Sequence, residues 1–148
     1  MHEDSSFYLQ SRSYRAPEVV LGYRYNEKID IWSVGCILAE LYSGKVLFPS
    51  DSNQYLLAQV VSCFGAFPLE MLTQCKNAGQ CITKSGLIYG ESEDRYEVLV
   101  PFRLPLRERI HSDSDLFIDF LLQLLCPILE WRASAEEALN HPWLEQVL

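Results

Sequence analysis

Two short stretches near the N-terminus decide the fold of this chain: Ser11-Arg-Ser-Tyr-Arg-Ala-Pro-Glu18 and Asp30-Ile-Trp-Ser-Val-Gly35. The first mixes hydroxyl, guanidinium and aromatic side chains without a helical period, so it predicts an ordered loop that leads into a short helical turn. The second lies within residues 28–43, which are apolar on nearly every helical face and are followed by Gly44 as a stop. We therefore expect a loop that carries function, followed by a central helix that protein surrounds.

Three further helices are predicted after residue 50. Asp51-Ser-Asn-Gln54 has the spacing of a capping box and opens a helix that reaches about Cys63. Residues 115–125 form a helix with a broad apolar face. A second capping box, Ser134-Ala-Glu-Glu137, starts a helix that Pro142 should end.

Residues 66–112 look irregular apart from one hairpin. Residues 87–89 and 96–100 are two short β-prone runs, and the polar residues 90–95 separate them. The predicted fold class is therefore mainly α with one small β-hairpin insert. We expect residues 1–148 to form a single unit, because the chain has no internal repeat and no flexible linker.

Composition narrows the classes of partner and compartment. A formal net charge of −8 disfavours nucleic acid and anionic membranes as partners, because both require clustered Lys and Arg. The apolar runs fall short of the roughly 20 residues that cross a bilayer, and the acidic N-terminus does not resemble a secretory signal. Five cysteines without a CxxC pair predict neither a zinc site nor a closed set of disulfides. We expect no metal site, and a protein of the cytosol or nucleus.

The two opening motifs resemble signatures of eukaryotic protein kinases. Ala16-Pro-Glu18 is followed after twelve residues by Asp30-x-Trp-Ser-x-Gly35, and His141-Pro-Trp143 lies near the end of the chain. The form Tyr14-Arg-Ala-Pro-Glu18 resembles the CMGC group. Tyr8-Leu-Gln-Ser-Arg-Ser-Tyr-Arg15 is similar to the dual-specificity tyrosine-phosphorylation-regulated family within that group, and residues 51–101 are most similar to its plant and protist branch. The resemblance implies the C-terminal part of the kinase large lobe.

The resemblance implies a joint role for Tyr8, Arg12 and Arg15. A phosphate on Tyr8 would add up to about two negative charges shortly before the two arginines, enough for about one to three charge-assisted hydrogen bonds. In the family the matching tyrosine is autophosphorylated and the matching arginines hold its phosphate. From the spacing alone, a packed tyrosine ring beside two solvated arginines fits equally well.

The resemblance also implies that Ser11, Arg12, Ser13, Tyr14 and Arg15 bind protein substrate. The serine that matches Ser11 contacts the catalytic aspartate and lysine in the family. Residues 12–16 match the floor that accepts the substrate residue after the phosphorylated one. A plain connection between a loop and a helix is the alternative interpretation of this segment.

The remaining matched residues are implied to hold the scaffold. Glu18 and Arg132 match a buried ion pair, although Ile128-Leu-Glu-Trp131 stands where the family usually has Asn-Pro and two polar residues. Asp30 is expected to be a buried carboxylate, which in the family accepts backbone N–H groups of the catalytic loop. Trp32 is expected in the core. The structural set also contains Ala16, Pro17 and Gly35.

Phosphoryl transfer requires parts that residues 1–148 do not contain. These parts are a Gly-rich loop over the phosphates, a lysine that binds them, an aspartate for the hydroxyl, and Asn and Asp ligands for magnesium. No catalytic residue is therefore assigned in this chain. In the family these parts precede the position of Met1, so we expect a fragment or a truncated gene model that is inactive alone and binds neither ATP nor Mg²⁺.

The complete protein is expected to use ATP and Mg²⁺ to phosphorylate Ser and Thr of proteins, and to autophosphorylate Tyr8. Its expected partners are protein substrates and the remainder of the kinase domain. The alternative is a non-catalytic docking or scaffolding module derived from a kinase. In-frame catalytic motifs upstream of Met1 would favour the enzyme, and stop codons before a genuine start would favour the module. A chain without the upstream part is expected to expose apolar surface on the helix at residues 28–43.

Overall fold

The computed structural model describes residues 10–146, in which a long central helix organises the packing of the other elements. The helices are α1 (Pro17–Leu21), α2 (Lys28–Ser43), α3 (Asn53–Phe64), α4 (Leu69–Leu72), α5 (Leu106–Ile110), α6 (Asp115–Leu124) and α7 (Ala135–Leu139). The strands are β1 (Ile88–Ser92) and β2 (Arg95–Leu99), which pair antiparallel. Short 3₁₀ turns occupy Arg12–Tyr14, Ala78–Gln80 and Pro142–Glu145. The prediction of a mainly α fold with one hairpin is confirmed.

Helix α2 packs closely against α6 through Gly35. A Cβ atom at this position would lie 2.7 Å from Cγ of Leu125, so only glycine allows this approach. The helix ends at Gly44, whose φ of 74° is left-handed, as the sequence predicts. Gly35 therefore sets the distance between the central helix and the C-terminal helices.

Two groups of aromatic rings fill the space on either side of α2. The ring of Trp32 is fully buried and lies 6.0 Å from the rings of both Phe48 and Phe64. Trp143, from the last turn of the chain, packs between Phe117 and Phe120 of α6, with centroid distances of 4.8 and 4.9 Å. Trp32 thus packs in the core, as the sequence predicts.

One face of α2 is open among the described residues. Val34, Ile37 and Leu41 follow each other at helical spacing and are 44%, 45% and 76% exposed. Asp30, one turn before Val34, is exposed as well. The prediction of a buried Asp30 is therefore wrong, because its carboxylate lies on this open face, where water can solvate it. The apolar stripe itself is the surface that the sequence analysis expects on this helix.

Two predicted boundaries differ from the structure. Helix α3 is capped by Ser52, whose hydroxyl accepts the N–H of Tyr55, so a capping box that starts at Asp51 is wrong. The hairpin is longer than predicted, and only Glu93 and Asp94 form its turn, with φ of 43° and 66°. A two-residue turn with both φ values positive matches the twist of the strands it joins.

The irregular interpretation of residues 66–112 is wrong in part. This segment contains α4, a 3₁₀ turn and α5 besides the hairpin. These helices have four or five residues each, too few to show a helical period. In contrast, the predicted helix at residues 115–125 and the capping box at Ser134 are confirmed.

All five cysteines are free thiols. Burial raises the pKa of Cys63, Cys75 and Cys81 to about 11, so little thiolate forms at neutral pH. Within residues 10–146, no helix has both the length and the apolar character needed to span a bilayer.

Candidate functional site

The segment from Gln10 to Ala16 forms a rigid loop in front of α2. A 3₁₀ turn shapes its centre, where Tyr14 N–H donates to the carbonyl of Ser11 at 3.0 Å. Ser11 and Arg12 are exposed, while Arg15 is buried. The loop therefore presents its first half to solvent and fixes its second half in the protein.

Gln10 and Ser33 attach this loop to the central helix. The Gln10 amide nitrogen donates to the Ile29 carbonyl at 2.9 Å and to the Ser33 hydroxyl at 2.6 Å. The Gln10 amide oxygen accepts the N–H of Ala16 at 2.9 Å, and the Ser33 hydroxyl donates to the Tyr14 carbonyl at 2.7 Å. The loop conformation is thus fixed from both of its ends.

Arg12 and Arg15 form a pair of guanidinium groups that bind only neutral acceptors among the described residues. Arg15 donates from Nε and Nη2 to the Gln10 carbonyl, at 3.1 and 2.8 Å, and from Nη1 to Oδ1 of Asn53 at 3.3 Å. Arg12 donates to the Asp51 carbonyl at 2.6 Å. Burial, and then the charge of Arg12, lower the pKa of Arg15. An anion bound here would offset both the desolvation of Arg15 and its repulsion by Arg12.

Tyr14 joins the loop to a carboxylate on α2. Its hydroxyl donates to Oε2 of Glu40 at 2.5 Å, and this bond, followed by burial, raises the pKa of Tyr14. Glu40 is half-buried at the edge of the loop. The carboxylate can therefore orient the tyrosine ring and add negative charge beside a bound substrate.

A fully buried ion pair connects α1, the helix that follows the loop, to the segment after α6. Glu18 accepts two hydrogen bonds from Arg132, at 2.6 and 2.8 Å, and both side chains are completely buried. Arg132 also donates to the carbonyls of Cys126 and Lys28, and its guanidinium lies 5.2 Å from the ring centre of Trp32. The structure therefore brings together the two residues that the sequence analysis pairs.

The other predicted residues have different positions. Tyr8 lies outside the described residues. Ser11 is exposed at the start of the loop, and its hydroxyl makes no hydrogen bond within residues 10–146. Ser13 is half-buried within the 3₁₀ turn. Ala16 and Pro17 are buried where the loop enters α1.

Three residues of this site, Gln10, Ser33 and Glu40, are absent from the prediction made from the sequence. Ser33 lies within the second motif, so the motif itself could have marked it as a candidate site residue. Gln10 is a single amide in an irregular segment, and no periodic pattern marks it. Glu40 could have been noticed as the only charged residue between Asp30 and Gly44 in an otherwise apolar helix.

The described site offers hydrogen-bond donors and positive charge. Mg²⁺ needs several oxygen ligands around it. Residues 10–146 contain no group of three or more His, Cys, Asp or Glu side chains that could hold a metal ion. With two guanidinium groups and several hydrogen-bond donors, the loop is suited to binding and orienting a peptide or a phosphate group.

The family model described as "Protein kinase domain" matches residues 2–144. The chain belongs to this protein kinase family. The kinase loop described above ends in Ala16-Pro-Glu18, and α2 carries Asp30-x-Trp-Ser-x-Gly35, the two motifs on which the resemblance rests. Family membership therefore agrees with the geometry of the loop and the central helix.

Curated relatives identify the branch of the kinase family. The probable dual specificity protein kinase YAK1 homolog of Encephalitozoon cuniculi is 37% identical over 97% of this chain and 36% of its own length. The dual specificity tyrosine-phosphorylation-regulated kinase 3 of Rattus norvegicus is 36% identical over 94% of this chain and 27% of its own length. The dual specificity tyrosine-phosphorylation-regulated kinase 4 of Homo sapiens is 32% identical over 98% of this chain and 28% of its own length.

The kinase is thus a member of the dual-specificity tyrosine-phosphorylation-regulated family in the CMGC group. The chain spans about a third or less of the length of these relatives. The finer placement in a plant and protist branch stays a prediction.

Proposed function

We propose that this chain supplies the substrate-binding loop and the phosphotyrosine-holding arginines of a dual-specificity protein kinase. The complete protein transfers the γ-phosphate of MgATP to Ser and Thr hydroxyls of proteins and autophosphorylates Tyr8. The observation that carries the proposal is the pair Arg12 and Arg15, two adjacent cations that bind only neutral acceptors in residues 10–146. Tyr8 precedes by two residues the Gln10 carbonyl that Arg15 binds, so a phosphate on Tyr8 can reach the pair.

The proposed consequence of phosphorylation is a more rigid loop. A phosphate oxygen is a stronger acceptor for guanidinium than a backbone carbonyl, because the hydrogen bond is charge-assisted on both sides. Gln10, Ser33 and Glu40 already hold the second half of the loop against α2. The phosphate would add the missing constraint on its first half, where Ser11 and Arg12 face solvent.

Residues 11–15 are proposed as the platform for the protein substrate. Preorganised hydrogen-bonding groups reduce the entropy cost of placing a substrate hydroxyl for reaction. We also propose that ATP and Mg²⁺ are bound by residues of the protein outside this sequence, and that the 148-residue chain alone does not transfer phosphate. A location in the cytosol or nucleus is part of the proposal, and the five free thiols support it.

The test compares variants of the protein expressed from its complete gene. Tyr8→Phe and Arg15→Gln should each lower Ser/Thr phosphorylation of a peptide substrate about tenfold, the effect of losing one to two charge-assisted hydrogen bonds. The combined variant should lose little more, because both changes remove one interaction. Arg24→Gln, which removes an exposed guanidinium that pairs with Glu130, serves as the matched control.

Treatment with a tyrosine phosphatase keeps the test valid if Arg15→Gln does not fold. The dephosphorylated wild-type protein should show the same loss of activity as Tyr8→Phe. Full Ser/Thr activity in protein whose Tyr8 carries no phosphate would contradict the proposed role of Arg12 and Arg15.

A further inference from the structure

One face of the β-hairpin carries mostly apolar side chains, with Glu91 opposite Tyr96, and much of this face is exposed. Tyr89 pairs with Val98 across the sheet, so their side chains lie on the same face. Tyr96 and Val100, two positions before and after Val98, are 73% and 84% exposed, and Val98 is 52% exposed. We call Tyr89, Tyr96, Val98 and Val100 the hairpin face. Apolar residues at alternate positions are usually buried in a sheet, so this face is suited to a partner.

The outer edge of β2 is open for hydrogen bonding. Tyr89 N–H donates to the Cys81 carbonyl at 2.9 Å, which lies on the side away from β2. Tyr89 and Val98 are therefore a non-hydrogen-bonded pair, and the N–H and C=O groups of Val98 point away from β1. The same alternation applies to Tyr96. In residues 10–146 these outward groups make no hydrogen bond, and an open edge of this kind is a template for another strand.

Two cavities lie beside this edge. One of about 360 Å³ is lined by Thr83, Tyr89, Tyr96, Glu97 and Val98. Another of about 430 Å³ lies between α3 and residues 98–104, with Tyr55, Val98 and Phe102 among its lining residues. Val98 borders both cavities. A strand added at β2 would direct one set of alternate side chains to the hairpin face, and Val98 of that face borders both cavities that could receive them.

The negative charge around the hairpin favours a positively charged partner. Residues 91–97 carry four carboxylates (Glu91, Glu93, Asp94 and Glu97) against one guanidinium (Arg95), a net charge of −3. None of these carboxylates takes part in an ion pair within the described part of the chain. A second copy of the chain, with its own net charge of −8, would bring like charges together. A basic segment would instead be attracted.

We propose that β2 accepts an extended, basic segment of a partner protein as a third strand of the sheet. Apolar side chains of this segment alternate with Lys or Arg, so that backbone hydrogen bonds bind its main chain and the two cavities bind its apolar side chains. The site goes beyond phosphoryl transfer, because it would recruit a substrate or a regulatory protein through residues that are separate from the loop at residues 10–16.

The test measures binding of a synthetic peptide to the protein by fluorescence anisotropy. The peptide alternates valine and phenylalanine with lysine and arginine. Two control peptides are used: one has the same composition in scrambled order, and one carries N-methyl groups on alternate amides, which prevents strand pairing. The alternating peptide should bind at least about tenfold more tightly than either control.

Matched protein variants assign the binding to β2. Val98→Pro removes an outward N–H that the β1–β2 ladder does not use, so the hairpin should persist while affinity falls about tenfold. Glu91→Gln combined with Glu97→Gln should weaken binding and reduce its salt dependence. Glu136→Gln, an exposed carboxylate on α7, should change neither.

Three results would overturn the proposal. The first is absence of peptide binding at concentrations on the order of 1 mM. The second is equal binding of the alternating and N-methylated peptides, which also remains informative if Val98→Pro does not fold. The third is self-association of the protein that Val98→Pro abolishes, because it would assign the edge to a second copy.

Discussion

At the scale of single residues, Arg132 has the most demanding environment in the described structure. Its guanidinium is fully buried, pairs with Glu18 and stacks near Trp32. We predict that Arg132→Met lowers the free energy of unfolding by about 3–5 kcal/mol, because Glu18 is left as an unpaired buried charge. Denaturation in urea measures the loss. Changing both partners, in Glu18→Leu with Arg132→Met, should recover much of it, and an equal or larger loss in this double variant would contradict the argument.

Thiol reactivity gives a second prediction at the scale of residues. With their pKa raised to about 11, Cys63, Cys75 and Cys81 have about one thiolate in 1,000 at pH 8, against roughly one in four for an exposed thiol. Alkylation by iodoacetamide at pH 8, followed by mass spectrometry, should be about 100-fold slower in the native protein than in urea. Equal rates would show that these thiols are not buried.

How far the sequence predicts a residue depends on what determines its environment. The pairing of Glu18 with Arg132 was predictable because the family resemblance assigns both partners, although the residues before Arg132 depart from the family pattern. Gln10 was not, because its role depends on loop geometry that no short pattern encodes. Glu40 stands out as a lone charge in an apolar helix, but its tyrosine partner is set by that same geometry. Asp30 was wrongly predicted to be buried, because its burial depends on atoms from outside its own helix.

At the scale of elements, the contact between α2 and α6 is the most sensitive to side-chain volume, which is limited at Gly35. Gly35→Ala would place a methyl group 2.7 Å from Leu125 Cγ and 3.1 Å from Leu124 Cβ. The expected loss is about 1–2 kcal/mol, since overpacking outweighs the gain in helix propensity. Gly79→Ala is the matched control, because its added methyl group has no neighbour within 4 Å. Equal melting temperatures of the two variants would contradict the close approach.

The longer elements were predictable and the short ones were not. Helices α2, α3 and α6 show their apolar patterns over at least ten residues. By contrast, α4 and α5 have too few residues for a period to appear, and tertiary packing decides their conformation. The hairpin turn was predicted too long, because the strand residues next to it, residues 90–92 and Arg95, are glycine or polar and resemble a loop.

At the scale of the whole molecule, the open face of α2 is expected to have the largest effect on self-association. Val34, Ile37 and Leu41 expose a continuous apolar stripe along the described chain. We predict that the 148-residue chain alone self-associates, and that Ile37→Lys with Leu41→Glu reduces this association. Sedimentation velocity measures both. A wild-type chain that is monomeric and melts cooperatively would contradict the prediction.

The fold class was predictable from two motifs, because their spacing and the apolar helix that contains the second motif occur together in one kind of architecture. The docking edge at β2 was not, since it depends on which side of a strand its N–H groups face. A pattern of residue types fixes which face of a strand is apolar, but only the register of the sheet fixes which edge is open.

The measurement that tests the central claim most directly is mass spectrometry of Tyr8 after incubation with MgATP. The protein expressed from its complete gene and the 148-residue chain alone would be compared, each with a protein substrate. We expect phosphotyrosine at Tyr8 and Ser/Thr transfer in the first, and neither in the second. Transfer by the 148-residue chain, abolished by a point change within it, would contradict the account, as would the absence of phosphate on Tyr8 in an active complete protein.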